Sequence, residues 1–328
     1  MLQVFRSFSW LTAALLVLVA LILRTIGFGV DASVWATVPV ALGSWGEILA
    51  KSTGDFALSD WVLGAVLTTA VGVLGAGTLN HYRLGAHGMV PALMSVLVGS
   101  AAVWWLAYSP YLVSAVLLAA AAHRLFAGYR YQGAALPVYD CGLLLGAAWL
   151  IAPPFVWMVL WSVLALAQLR KLKVLDVIQL LIGVCTLPAI AGLYAYWRGT
   201  LLAFRQNLGS GIVGQDILTG FGESWQTLAL LALLTGACIG AFGRLTTRRP
   251  IQEQRATRMW YLMLGVAWIA ILASGVNDVA ALSLLLYPIS VLLGMWLNEL
   301  SRRIANLILL VGAGCVLAGY VLSYFDLL

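Results

Sequence analysis

Four carboxylates, Asp31, Glu47, Asp55 and Asp60, crowd into one stretch near the start of a 328-residue chain that has only twelve in all. Carboxylates supply general acid and base chemistry and bind divalent metals, but both uses need them to converge on one point. No Asp-Asp, Asp-x-Asp or Glu-x-Asp pair occurs in the stretch, so spacing alone assigns neither a metal nor an acid–base couple. The other reactive residues are equally dispersed. His81, His87 and His123 have no cysteine or carboxylate completing a ligand set, and read as polar residues at a headgroup boundary. Cys141, Cys185, Cys238 and Cys315 each stand alone in an apolar run, the pattern of reduced packing thiols. The P-loop, the dinucleotide glycine motif, HExxH and GxSxG are absent. No metal and no cofactor are expected.

The elements that would have to position these residues are set by composition. Hydrophobic residues make up 63% of the chain and charged residues 9%, far beyond what a soluble core needs. The predicted class is all-α: one polytopic membrane domain covering 1–328, because only helices satisfy every backbone hydrogen bond where no water reaches. Apolar runs fall at about 8–23, 61–79, 88–108, 111–127, 139–152, 154–169, 174–197, 225–243, 259–274, 279–297 and 304–324, which predicts eleven transmembrane helices. The first run has no processing site after it and is expected to stay as an uncleaved anchor.

Basic residues then orient the helices. With the N-terminus in the cytoplasm, alternation puts fourteen of the eighteen Lys and Arg residues inside, leaving Arg24, Lys51, Arg198 and Arg205 outside, while eight of the twelve acids fall outside. That asymmetry is the positive-inside signature of a multi-pass membrane protein, with its C-terminus on the non-cytoplasmic side. It accounts for the net charge of +6 without nucleic acid. Pro153 and Pro154 interrupt a continuous apolar stretch. One kinked helix there would flip every later loop, so a hairpin of two short helices is preferred. The outward face then has two long loops. Residues 25–60 carry Trp35 and Trp45 and are expected to form interfacial helices, and 198–224 is the second such loop. A cytoplasmic basic loop, 244–258, holds Arg244, Arg248, Arg249, Arg255 and Arg258, which could contact anionic lipid or a partner. Glycine runs such as 72–77, 142–147 and 312–319 read as close helix packing rather than a pore.

The region 78–199 resembles, by pattern more than identity, an uncharacterised family of polytopic inner-membrane proteins from Bacteroidota. The matching positions are Asn80, Pro91, Pro110, Asp140, Gly142, Gly146, Pro153 and Pro188. That resemblance implies a fold and no activity. The layout, with a long acidic outward loop after the first helix, is also distantly similar to the GT-C class of membrane glycosyltransferases, which take sugars from polyprenyl-phosphate carriers. This second likeness implies Asp31 as a catalytic base or metal-proximal carboxylate, and Arg198 and Arg205 as ligands of the lipid phosphate. Three functions follow. The leading one is a non-catalytic accessory or scaffold subunit of an envelope assembly or secretion machine. A GT-C-like enzyme handling lipid-linked glycan is the alternative, and a carrier is the third. The expected partners are membrane lipids, with other envelope subunits or polyprenyl-linked glycan, and no nucleic acid.

Overall fold

A computed structural model describes residues 5, 9–26, 57–84, 88–101, 108–130, 136–169, 173–209, 212, 225–247, 250–274 and 279–324. Every regular element among them is helical. In chain order they are α1 (Trp10–Ile26), α2 (Ala57–His81), α3 (Val90–Ala101), α4 (Pro110–Arg130), α5 (Leu136–Ile151), a 3₁₀ turn (Pro153–Val156), α6 (Trp157–Leu169), α7 (Val174–Trp197), α8 (Leu201–Gly209), α9 (Trp225–Thr247), α10 (Ile251–Ser274), α11 (Val279–Ser283), α12 (Leu286–Glu299) and α13 (Arg302–Tyr324). Five stretches are long and apolar enough to cross a membrane: Trp61–His81, Pro110–Ala127, Val174–Trp197, Glu253–Ser274 and Ala281–Glu299. Helix content and apolarity thus agree with the all-α membrane class.

Contacts between neighbours give each helix a direction. Asn80 meets Gly88 while Thr68 meets Ser95 and Gly99, so α2 and α3 are antiparallel. Ser114 pairs with Ala148 and Arg124 with Asp140, which makes α4 and α5 antiparallel. Pro91 against Gly294 and Gly99 against Leu286 give the same relation for α3 and α12, and bonds from Tyr261 to Cys238 and from Trp268 to Thr235 give it for α9 and α10. The bundle therefore has a histidine end, which holds His81, Gly88, His123 and Asp140, and an opposite end marked by the proline turn.

The closest backbone approach lies between α5 and α7. A Cβ on Gly142 would overlap the Leu180 carbonyl, one on Gly146 the Val184 carbonyl, and one on Gly183 the Tyr139 carbonyl. Advancing four residues on α5 advances the facing carbonyl four residues on α7, so these two helices run parallel. Small residues let backbones touch in this way, and in hydrocarbon such packing replaces the hydrophobic drive between helices. Because α5 and α7 point the same way, the chain must reverse twice between them. The proline turn is the first reversal and α6 the return leg, as the hairpin reading expects. The two legs splay apart, however. α5 lies between α4 and α7, whereas α6 leans on α10, where the Trp161 indole donates to the Met259 carbonyl. Pro153, Pro154 and Phe155 are buried, so the broken backbone is shielded by protein.

Several loop boundaries need correction. The outward loop predicted at 25–60 gives up its ends to α1, which runs to Ile26, and to α2, which starts at Ala57. The second, 198–224, contains α8. Most of the basic loop 244–258 is helix, since α9 reaches Thr247 and α10 starts at Ile251 after Pro250. Arginine and glutamine are good helix formers, and proline suits a helix start. The interfacial helices expected around Trp35 and Trp45 lie outside the described residues.

Gly146→Ala drives a Cβ into main-chain atoms of α7, and overpacking of this kind costs about 1–3 kcal/mol. Gly77→Ala meets no atom within 4 Å and gains helix propensity, roughly 1 kcal/mol at most. Thermal unfolding in detergent should therefore rank Gly146→Ala several degrees below wild type and Gly77→Ala level with it or above. Equal melting temperatures for the two variants would refute a backbone-contact seam.

Candidate functional site

Four helices bring chemically capable side chains together near the histidine end. α2 contributes Thr78 and His81, with Tyr82 just beyond it; α4 contributes His123 and Phe126, α10 Trp260 and α12 Tyr287. The rings form a continuous chain. The His81 and His123 centroids are 5.9 Å apart, Tyr82 is 5.5 Å from His123 and 5.8 Å from Phe126, Phe126 is 5.4 Å from Trp260, and Trp260 meets Tyr287 edge-on at 5.2 Å. His81 is exposed and His123 half-buried, while Trp260 and Tyr287 are fully enclosed. The chain of rings leads from the surface into the core.

Hydrogen bonds define what this group can do. Thr78 donates its hydroxyl proton to the Leu74 carbonyl at 2.8 Å, so its oxygen is left to accept from His123 Nδ1 at 3.1 Å. The network therefore assigns the Nδ1–H tautomer to neutral His123 and leaves Nε2 as the basic atom. Thr78 is consequently no activated nucleophile, because a histidine base would have to accept the proton that the backbone holds. The Tyr287 hydroxyl lies beside that of Thr78, and the Trp260 indole N–H has no hydrogen-bond partner among the described residues. Arg124, the next residue after His123, turns outward, its Nε 3.8 Å from Asp140.

A clamp on the α2–α3 connection holds this end in place. The Asn80 side chain donates to the carbonyls of Ala76 and Gly88 and accepts from the Gly88 N–H at 2.9 Å, pairing with Gly88 as a strand neighbour would. The connection needs left-handed backbone at Arg83 (φ 52°) and Gly88 (φ 96°). Glycine adopts that region freely, whereas arginine does so at a cost that the clamp offsets.

The sequence-derived candidates lie elsewhere. Asp31, the implied catalytic residue, is outside the described residues. Arg198 caps α7, exposed, with its guanidinium carbon 5.3 Å from the Tyr194 ring centre. The helix ends in a Schellman turn: Gly199 has φ 70° and donates to Tyr196, and Thr200 donates to Ala195. That turn folds α8 back so that Phe204 packs on Gly192 and leaves Arg205 exposed. The Trp157 indole then binds the Ile212 carbonyl, tying the segment after α8 to the proline turn. Arg198 and Arg205 thus belong to one helical hairpin. Of the basic candidates, Arg255 and Arg258 are exposed on the first turns of α10, Arg244 is within α9, and Arg248 and Arg249 lie outside the described residues.

Two features escaped sequence reasoning. Arg24 is not a loop residue: it is wholly buried in the last turns of α1 and donates from Nη2 to Thr68 at 2.9 Å, well inside α2. The signal was its position at the end of a long apolar run. The pairing of His123 with Thr78 joins positions 45 apart and had no local signature. The cysteines met expectation in part, since Cys141 and Cys238 are buried while Cys185 faces outward on α7. Among the described residues no three His, Cys, Asp or Glu side chains gather as a metal set.

No protein-family model, curated protein or solved structure matches this chain.

Asn80→Asp keeps the acceptor for Gly88 N–H but sets an anion against two carbonyls that have lost their donor. Unsatisfied buried groups cost about 1–3 kcal/mol each. The variant should lose several degrees of thermal stability and gain proteolytic cleavage between residues 82 and 88. Unaltered cleavage there would remove the clamp from the account.

Proposed function

We propose that the chain is a multi-pass inner-membrane protein of the cell envelope that serves as a non-catalytic accessory or scaffold subunit of an assembly or secretion machine. Eleven crossings, with the shorter helices spanning alongside the five long ones, agree with the alternating directions and with the parallel α5 and α7. The histidine end carries Arg83, Arg124, Lys173 and Arg303, and Arg255 and Arg258 stand within two turns of Trp260. Charge asymmetry of this kind supports a cytoplasmic histidine end and N-terminus, with the C-terminus in the periplasm.

The observation that carries the scaffold reading is a contrast between two glycine faces. Gly142 and Gly146 are spaced to let α7 touch α5. Gly236 and Gly240 on α9 have the same spacing, followed by Gly243, yet no described residue comes within 4 Å of where their Cβ atoms would lie. Leu233, Ile239 and Phe242 beside them are exposed. A helix carrying small residues at that interval suits a close partner helix. Interior hydroxyls support the same reading, since Thr68, Thr69, Thr78, Thr235, Ser274 and Ser290 donate to carbonyls of their own helices and are unavailable as nucleophiles.

A second reading, an enzyme handling lipid-linked glycan, draws on the α7–α8 hairpin. Arg198 and Arg205 share it with Tyr194, Tyr196 and Trp197, all exposed, a composition suited to headgroup depth and to a polyprenyl phosphate. That reading requires Asp31 to act with them.

A photo-crosslinking residue at Phe242 should yield a discrete adduct in cells that Gly240→Leu abolishes while leaving the chain folded; no adduct in either chain sinks the scaffold interface. Asp31→Asn and Arg198→Ala should leave surface glycan at wild-type level. Loss of glycan by about tenfold or more in either would transfer the assignment to the enzyme.

A further inference from the structure

The paired imidazoles at the histidine end have a use that packing does not require. His81 is exposed at the end of α2, and His123 sits one step deeper with its ring centre 5.9 Å away and its Nδ1–H engaged by Thr78. A proton arriving from solvent meets His81 first and then Nε2 of His123, for which no hydrogen bond is made among the described residues. Two imidazolium rings at that separation repel each other through a medium poorer in water than bulk.

The surroundings bias this pair further. α2 presents Tyr82 beside His123, and Arg83 follows it in sequence. α4 itself adds Arg124, whose charge is shared with Asp140 of α5 at 3.8 Å. α12 presents Tyr287, and α10 presents Trp260, with Arg258 two residues before it and Arg255 a turn earlier. α6 and α11, which also touch α4, bring no titratable side chain. Arg83, Arg124, Arg255 and Arg258 are the basic side chains these elements bring to this end, alongside the carboxylates of Asp140, which is engaged with Arg124, Asp176 in the first turn of α7, Glu253 in the first turn of α10 and Glu299 at the end of α12.

We propose that His81 and His123 form a single proton-binding site, in which the first proton excludes the second and Thr78 holds His123 in the orientation that receives it. The ligand is the proton itself, taken from the side on which His81 is exposed. The buried hydroxyl of Tyr287 and the indole N–H of Trp260 lie at the inner limit of the same chain of rings, so the charge state of the pair is felt where α2, α4, α10 and α12 meet. This site is independent of the scaffold reading and of the α7–α8 arginines.

The full chain has three histidines, so ¹⁵N-histidine NMR in nanodiscs resolves it directly, with His81→Gln, His87→Gln and His123→Gln assigning the signals. His123 should show the Nδ1–H tautomer when neutral, and over pH ~5–8 its nitrogens should titrate in two steps. In His81→Gln, a surface change that leaves the fold intact, the same nitrogens should titrate in one step. In Thr78→Val the pure tautomer should give way to a mixture. A single-step His123 curve in the wild type, a His123 curve unmoved by His81→Gln, or an Nε2–H tautomer would each overturn the coupled site.

Discussion

Contact between main chains at glycine is the constraint on which this bundle depends. In an apolar medium, burying leucine against leucine gains little over leaving it against lipid, so helices are held by how closely their backbones approach. Gly142, Gly146 and Gly183 bring α5 and α7 together in parallel, Gly72 receives Ala92 and Ser95 of α3, and Gly294 receives the ring of Pro91. Once α5 and α7 are parallel, the remaining geometry of the middle of the chain follows. α6 has to return, the proline turn has to be enclosed, and α8 has to fold back over it.

A second constraint is the handling of polar groups in that interior. Most threonine and serine hydroxyls bond within their own helices, Ser95 and Ser114 also reach carbonyls of a neighbouring helix, and indoles reach across to carbonyls, as Trp161 does to Met259. Where this economy is broken, something other than packing is at work. Arg24 is a buried cation on α1, and the stack from His81 to Tyr287 includes the enclosed Trp260 indole N–H, which has no hydrogen-bond partner among the described residues. Burying a charge costs several kcal/mol unless it is compensated, which makes such positions candidates for a functional role.

Much of the architecture could be read from the chain beforehand, because hydrocarbon imposes a simple code of length, apolarity and basic residues. The apolar runs fall on helices, although α8 was not expected and the run at 279–297 is broken into α11 and α12, and the Pro153–Pro154 reversal was preferred from the basic-residue count. Boundaries failed where Arg and Gln continue a helix past the apolar run, as in 244–247 and 251–258. The eight positions of the family-like pattern turn out to have structural work: Asn80 clamps a loop, Pro91 fits Gly294, Pro110 begins α4, Asp140 meets Arg124, Gly142 and Gly146 form the seam, Pro153 makes the turn, and Pro188 is buried within α7. None of this needs a catalytic role. The histidine pair was not legible as a site, since it joins α2 to α4 and its meaning lies in the hydroxyl proton of Thr78. Asp31 was singled out through a layout shared with enzymes, which says nothing of its own neighbours.

The splayed legs on either side of the proline turn bear on how such a chain is made. α5 has sixteen residues and α6 thirteen, each short of the ~20 that a lone helix needs to cross hydrocarbon. If α5 and α6 cross hydrocarbon, neither is long enough to be handed from the ribosome to the bilayer by itself, and both would wait at the insertion machinery until α7, which supplies the glycine face against which α5 settles, has been synthesised. Biogenesis of the central third would then be coupled, and a change that weakens the seam would be felt first as failed insertion during synthesis.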